Sequence, residues 1–209
     1  MFKFLKNLLG FEEPILEEVD PMKKYLIVGL GNIGDEYAET RHNIGFKILD
    51  ALADQRALDF KTQKLGEVAI HKLKGRSIVC LKPSTYMNLS GKAVRYWLEK
   101  EKIPVQNLLV ITDDINLPYG TLRVKTKGSH GGHNGLKDIQ HVLQTTQYNR
   151  FRFGVGADFG KGRQVEYVLG TWNEEENSKL KGRLEKSVEI IESFVLSGVA
   201  RTMNQFNGT

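Results

Sequence analysis

Seven residues near the start of the chain, Lys24-Tyr25-Leu26-Ile27-Val28-Gly29-Leu30, form an apolar, β-branched run that breaks up at Gly31-Asn32-Ile33-Gly34. Such a run predicts a buried strand. Glycines at its end let the backbone turn tightly and let a ligand come close. Polar side chains able to work on a ligand follow at once: Asn32, Tyr37, Arg41, His42 and Asn43. An amide and then an imidazole just past a buried strand predict an enzyme site at the carboxyl edge of a sheet.

The pattern recurs, and its recurrence sets the fold class. Residues 43–58 have helical spacing (Ile44, Ile48, Leu49, Leu52, Ala53), with His42 or Asn43 near the start. Residues 67–73 and 76–81 read as two strands around the turn Lys74-Gly75, and 83–88 as a loop. Asn88 or Ser90 opens a helix through Val94, Trp97 and Leu98. A buried strand at 108–112 ends in Asp113-Asp114, and 123–125 can pair briefly. A glycine-rich loop at 128–135 precedes a helix at 136–143 and a strand at 151–157. Asn173 with Glu176 forms a capping box for a last helix, whose stripe Leu180, Leu184, Val188, Ile191 and Val195 stops at Gly198. Strands alternating with helices predict an α/β fold: a single domain with a mixed, mostly parallel twisted sheet flanked by helices. If the strands before the three polar loops are parallel, those loops gather at one edge. Asn32, His42, Asn88 and Asp113 then meet.

Composition narrows the function. The 209 residues suffice for one ordinary domain, residues 23–209, with an N-terminal extension at 1–22. That extension is a short amphipathic stretch and an acidic linker, too interrupted for a membrane span and without a cleavage site for secretion. The one cysteine, Cys80, lies inside an apolar run and fits a buried strand position rather than a nucleophile. A cytoplasmic, reducing location follows, with no membrane partner. The net charge of +5 is uneven. Residues 1–22 carry −3, which leaves 28 basic against 20 acidic side chains, +8, on the rest. Between Thr121 and Arg152 six basic residues (Arg123, Lys125, Lys127, Lys137, Arg150, Arg152) face one acid, Asp138. Such an excess suits a polyanion, although a solvated basic face is the commoner outcome.

Several motifs compete. Gly29-x-Gly31-x-x-Gly34 matches the dinucleotide fingerprint literally, yet no helix opens at its last glycine, and the acid twenty residues on, Asp54, falls within a helix. A nicotinamide site is the minor reading. His130-x-x-His133 with Asp113-Asp114 has metal-ligand residue types but loose, glycine-rich spacing, so no metal is expected. That loop reads equally as a flexible rim over a substrate or as an ordinary surface turn. There is no Walker sequence and no nucleophile elbow. Water activated by His42 is then the favoured nucleophile, with a carboxylate fixing the imidazole tautomer. Asn32, Asn88 and Asn134 suit recognition of a peptide-like group and polarisation of a carbonyl.

At these residues the chain resembles the bacterial peptidyl-tRNA hydrolase family. The likeness spans about residues 24–194 and rests on ordered motifs: Val28 to Gly34 with Tyr37 and Thr40-Arg41-His42-Asn43; Lys82 to Gly91; Asp113-Asp114 with Leu117-Pro118; Gly128 to Asp138; Arg150 to Gly156; and Val168-Leu169-Gly170. The resemblance implies that 23–209 is a peptidyl-tRNA hydrolase domain. It implies hydrolysis of the ester between an N-blocked peptide and the 3′ end of tRNA, recycling tRNA from abandoned translation. It implies His42 as the base, Asp113 as the acid that orients it, and Asn32 as the amide linked to N-blocked substrates. Tyr37, Tyr86, Asn88 and Asn134 match residues that contact the peptidyl and 3′-terminal parts, and Lys125 and Arg152 match phosphate-binding residues. No cofactor, no metal, no obligate protein partner and a monomer are implied. The chain departs from the family pattern at Ile33, Asn116, Lys127 and Ser129, and in residues 1–22. Two other classes stay open on the residues alone: an RNA-binding module without catalysis, and a nicotinamide oxidoreductase.

Overall fold

The computed structural model describes residues 20–208, so residues 1–19 of the expected extension lie outside it. In chain order the elements are β1 (Lys24–Gly29), α1 (Ile44–Arg56), β2 (Lys61–Gln63), β3 (Gly66–Leu73), β4 (Arg76–Pro83), α2 (Ser90–Lys100), β5 (Leu108–Asp114), β6 (Leu122–Lys125), α3 (Asn134–Leu143), β7 (Asn149–Gly154), α4 (Gln164–Val168), α5 (Glu174–Ser197) and α6 (Val199–Phe206). The strands make one seven-stranded sheet in the order β2-β3-β4-β1-β5-β7-β6. The neighbours β4, β1, β5 and β7 are parallel, while β2, β3 and β6 are antiparallel additions at the two edges.

Alternation along the central strands explains the layers, because successive side chains point to opposite faces. Ile27, Ile78, Cys80, Leu109 and Ile111 pack with α1, α5 and α6 on one face. Leu26, Val28, Val79, Leu81, Leu108 and Val110 pack with α2 and α3 on the other. Both faces are covered, so each strand reads as a continuous apolar run. Burying each Leu, Ile or Val side chain contributes roughly 1.5–3 kcal/mol. Cys80 is fully buried, and burial pushes its thiol up to about 12, which makes it inert.

The expected α/β architecture is present, with local corrections. The capping box of α5 forms, with the Asn173 side chain accepting from Glu176 N–H and the Glu176 carboxylate from Asn173 N–H, both at 2.8 Å. The chain does not end its helical structure at Gly198; that residue hinges α5 into α6. Three short elements escaped the periodicity: β2, α4 and α6. Each is too short for a hydrophobic period to register.

The glycine motif has a different use from the one expected. A Cβ on Gly29 would sit 2.3 Å from the Gly45 carbonyl oxygen, and one on Gly45 would sit 2.4 Å from Leu30 N. These two glycines let α1 cross the end of β1 backbone to backbone. A Cβ on Gly31 would strike the Phe46 ring at 2.7 Å. The first two glycines of the fingerprint therefore pack a helix onto a strand. The helix opens only at Ile44, ten residues beyond Gly34, which removes the nicotinamide reading.

Candidate active site

The parallel strands β1, β4 and β5 end at one edge of the sheet, and their following loops meet there. Asn32 is locked by Asn43: the Asn32 N–H donates to Asn43 Oδ1 at 2.8 Å, and Asn43 Nδ2 donates to the Asn32 carbonyl at 2.9 Å. Asn32 Oδ1 accepts from the Met87 N–H at 3.0 Å, which joins the loop after β1 to the loop after β4. With its oxygen engaged, Asn32 presents Nδ2 as a donor to the cleft. His42 lies in a single 3-10 turn, Arg41–Asn43, that leads into α1. The close crossing at Gly29 and Gly45 sets that turn over the end of β5.

His42 Nδ1 lies 2.9 Å from Asp113 Oδ1 and 3.0 Å from Oδ2. Asp113, at the end of β5, is only 4% exposed. A second imidazole completes the group: His133 Nε2 lies 2.9 Å from Asp113 Oδ1. The His133 tautomer is fixed by its position as N-cap of α3. Its Nδ1 accepts from Gly135 N–H at 3.1 Å and Leu136 N–H at 3.3 Å. Nδ1 is thus unprotonated, and Nε2 carries the hydrogen that goes to Asp113. The carboxylate stays charged and accepts from both rings. Burial pushes the Asp113 carboxyl up, but the electrostatic interactions and hydrogen bonds that the two imidazoles of His42 and His133 make with the carboxylate outweigh it and hold the group well below the usual range. Burial likewise lowers His42, and the charge and hydrogen bond of Asp113 outweigh that and leave it raised. His42 is a base strengthened by a partner, with Nε2 free to face water.

The donor atoms of His42, Asp113 and His133 lie within 4.8 Å of one another, a spacing that a cation can span. Both imidazoles, however, aim a nitrogen at the carboxylate, and the His133 tautomer commits its hydrogen there. The three side chains fit a hydrogen-bond chain better than a ligand set. The sequence pair His130 and His133 does not act together. His130 Nδ1 accepts from Gly132 N–H at 3.1 Å, whereas His133 turns inward. His133 is a fixed helix cap at the end of that loop, and residues 128–132 before it border the cleft, where the rim reading puts them.

An open cleft of about 430 Å³ lies over this group. Its lining includes Asn32, His42, Tyr86, Asn88, Asp113, Lys125, Asn134 and Arg152, eight of the nine sequence candidates. Tyr37 is the exception. It sits in the 3-10 turn Asp35–Tyr37, where its carbonyl accepts from Thr40 Oγ1 at 2.8 Å, outside the cleft lining. Tyr86 is 63% exposed at the mouth. Lys125 and Lys127 supply positive charge on one wall. Arg152 is already ion-paired through Nε to Asp114, so its charge is partly spent within the protein. The departures from the family pattern fall on this rim: Asn116 bonds Asp114 Oδ1, the Ser129 carbonyl accepts from Arg150, and Lys127 faces the cleft. Ile33 is exposed beside Asn32. Sequence reasoning missed α4, whose Gln164, Val165 and Val168 form a roof over the cleft.

Comparison with known proteins follows the same lines. The family model described as Peptidyl-tRNA hydrolase matches residues 26–209. The peptidyl-tRNA hydrolase of Azobacteroides pseudotrichonymphae genomovar. CFP2 is 56% identical over 184 residues, 88% of this chain and 99% of that protein. That of Porphyromonas gingivalis (strain ATCC BAA-308 / W83) is 53% identical over 184 residues, 88% of this chain and 100% of that protein. The crystal structure of peptidyl-tRNA hydrolase from Acinetobacter baumannii superposes with a TM-score of 0.83 at 36% identity, covering 89% of this chain and 95% of that one.

Proposed function

The chain belongs to the peptidyl-tRNA hydrolase family, and from that premise we propose that His42 is the base that activates water, with Asp113 setting its tautomer and charge. The reaction is hydrolysis of the ester joining a peptide to the 3′ end of tRNA. The observation that carries the assignment is the 2.9 Å contact between His42 Nδ1 and a buried carboxylate beneath an open, basic-rimmed cleft. Water attacks the ester carbonyl carbon while His42 Nε2 takes its proton. The carbonyl oxygen becomes an oxyanion, which amide donors such as Asn32 Nδ2 stabilise. The intermediate collapses, the bond to the terminal ribose oxygen breaks, and the His42 imidazolium returns the proton to that oxygen. The products are an N-blocked carboxylic acid and free tRNA.

Asn32 also gives a reason for preferring blocked substrates. Its oxygen is held by Met87 N–H, so the cleft meets its donor face. A peptide carbonyl can accept from that face. A free α-amine, with a pKa of roughly 7.7–8.0, is largely cationic near neutrality and meets a donor instead. Asn88, Asn134 and Tyr86 line the path for the peptide and the 3′ end, and Lys125, Lys127 and Arg152 face the phosphates. Tyr37 belongs to the outer turn, outside the cleft lining. Because the substrate is a product of translation, we place the enzyme in the cytoplasm, acting as a monomer without an obligate partner. Among the described residues no helix is long and apolar enough to cross a membrane.

The test is release of N-acetyl amino acid from N-acetyl-aminoacyl-tRNA, with unblocked aminoacyl-tRNA as control. Wild type is expected to hydrolyse only the blocked ester, and His42→Ala to bind tRNA without turnover. A folded His42→Ala enzyme with wild-type activity would remove His42 from the mechanism.

A further inference from the structure

Arg41 points away from the cleft and is 7% exposed, a charge that the catalytic steps leave unused. Its guanidinium lies in a second cavity behind the site, walled by Tyr119, Tyr167 and Glu176. Nη2 donates to Glu176 Oε2 at 2.7 Å, and Nη1 donates to the Tyr167 carbonyl at 3.3 Å. The guanidinium carbon stands 4.4 Å from the Tyr167 ring centre and 5.7 Å from the Trp172 ring. The backbone takes part too: Arg41 N–H donates to the Gly170 carbonyl at 3.1 Å, and Thr40 bridges Thr171. Gly170 packs tightly here, since a Cβ on it would lie 3.2 Å from Arg41 Nη1.

These contacts join three parts of the chain. Tyr167 is in α4, the roof of the cleft. Glu176 is the capping-box acid at the head of α5, and its Oε2 also accepts from Asn173 N–H. Arg41 is covalently next to His42. A planar guanidinium suits this junction, because it offers two parallel donors and a flat face for stacking. We propose that Arg41 is a positioning residue that ties the roof α4 and the head of α5 to the His42 turn, and so holds His42 in register with Asp113.

Arg41→Lys keeps the positive charge and loses the fork and the flat face, so its effect on His42 reports geometry rather than net charge. The titratable groups facing His42 are Asp113 on β5 and His133 at the head of α3, and neither is altered. Slackening of the turn weakens the His42–Asp113 contact. R41K is expected to lower kcat by about 10- to 100-fold, the scale of a misplaced catalytic group. It is also expected to move the acid limb of the kcat/KM profile to lower pH. Glu176→Gln, which releases Arg41 from the far side, should act in the same direction, and R41K/E176Q should be no worse than the poorer single variant. Fraction folded and melting temperature are measured alongside. A loss that merely tracks the folded fraction, with the limb unmoved in both variants, overturns the role of Arg41. The inference rests on His42 as the base, and H42A tests that separately: an active H42A sinks the premise, whereas a dead H42A with unmoved limbs in R41K and E176Q sinks only the positioning role.

Discussion

Asp113→Asn removes one negative charge and leaves the shape of the side chain. The amide oxygen can still accept from His42 Nδ1 and His133 Nε2, so the hydrogen-bond chain survives while the charge is lost. With charge centres about 4 Å apart and an effective dielectric of about 20, the carboxylate attracts an imidazolium by roughly 4 kcal/mol. That attraction is absent while His42 is neutral and present once it has taken the proton from water. It therefore lowers the barrier, and its loss corresponds to roughly a thousandfold fall in kcat at about 1.4 kcal/mol per decade. The pH profile gives an independent sign. His42 is raised by Asp113 against the lowering effect of burial. Without the charge, burial prevails, and the acid limb of kcat/KM moves to lower pH. Stability shifts by the same linkage. The raised His42 contributes stability that is full below roughly 6.5 and is lost as pH rises through its folded value. D113N is thus expected to be most destabilised, relative to wild type, at mildly acid pH. The assay is N-acetyl-aminoacyl-tRNA hydrolysis from about pH 5 to about pH 9, with urea unfolding at both ends. A kcat within about tenfold of wild type together with an unmoved limb would refute the argument.

Four further outcomes follow from the same geometry. Lys125→Ala should raise KM, hold kcat, and reduce the slope of log KM against log salt by about one, as one phosphate contact is lost. Arg152→Ala should do the same and also destabilise the fold by about 1–3 kcal/mol, because Asp114 loses its half-buried partner; denaturant unfolding separates the two variants. Gly45→Ala would place a methyl 2.4 Å from Leu30 N and 2.5 Å from its carbonyl, both rigid backbone. It should cost about 1–3 kcal/mol and reduce kcat by lifting α1, with unchanged kcat and stability as the contrary result. His133→Ala loses a cap worth about 1 kcal/mol and a donor to Asp113, whereas His133→Asn restores a cap acceptor. Calorimetry should show the Asn variant recovering stability while its rate stays low; recovery of both would deny His133 any part beyond capping.

The sheet and its active edge were legible because they rest on long-range regularities of the chain. Runs such as Leu108 to Ile111 are apolar at every position, which only a strand covered on both faces requires. Parallel neighbours then force the segments after β1, β4 and β5 to one side, so Asn32, Asn88 and Asp113 converge without any need to know a side-chain conformation. His42 was found for the same reason. Tyr37 shows the limit of that logic: it shares a loop with His42, but a single 3-10 turn carries it out of the cleft.

The remainder was hidden by residues with two physical uses. A glycine admits a ligand or another backbone, and Gly29 serves the second use; the partner, Gly45, lies sixteen residues on and carries no mark of its own. A histidine among glycines offers a loose ligand or a helix cap. For His133 the resolving signal is nonetheless local. The apolar positions Leu136 and Ile139 begin the α3 stripe three residues past it, where a cap acceptor belongs. Reading the cap first gives the tautomer, since the helix amides claim Nδ1, and the tautomer gives the direction of the Nε2 hydrogen. Only the target of that hydrogen, Asp113, needs the fold. Arg41 lacks even this much. Its partners Tyr167 and Glu176 lie 126 and 135 residues away, and nothing in an arginine's neighbours along the chain indicates which carboxylate it will bury. Catalytic types are thus visible in sequence as chemistry, while the groups that hold them in place become visible only as contacts.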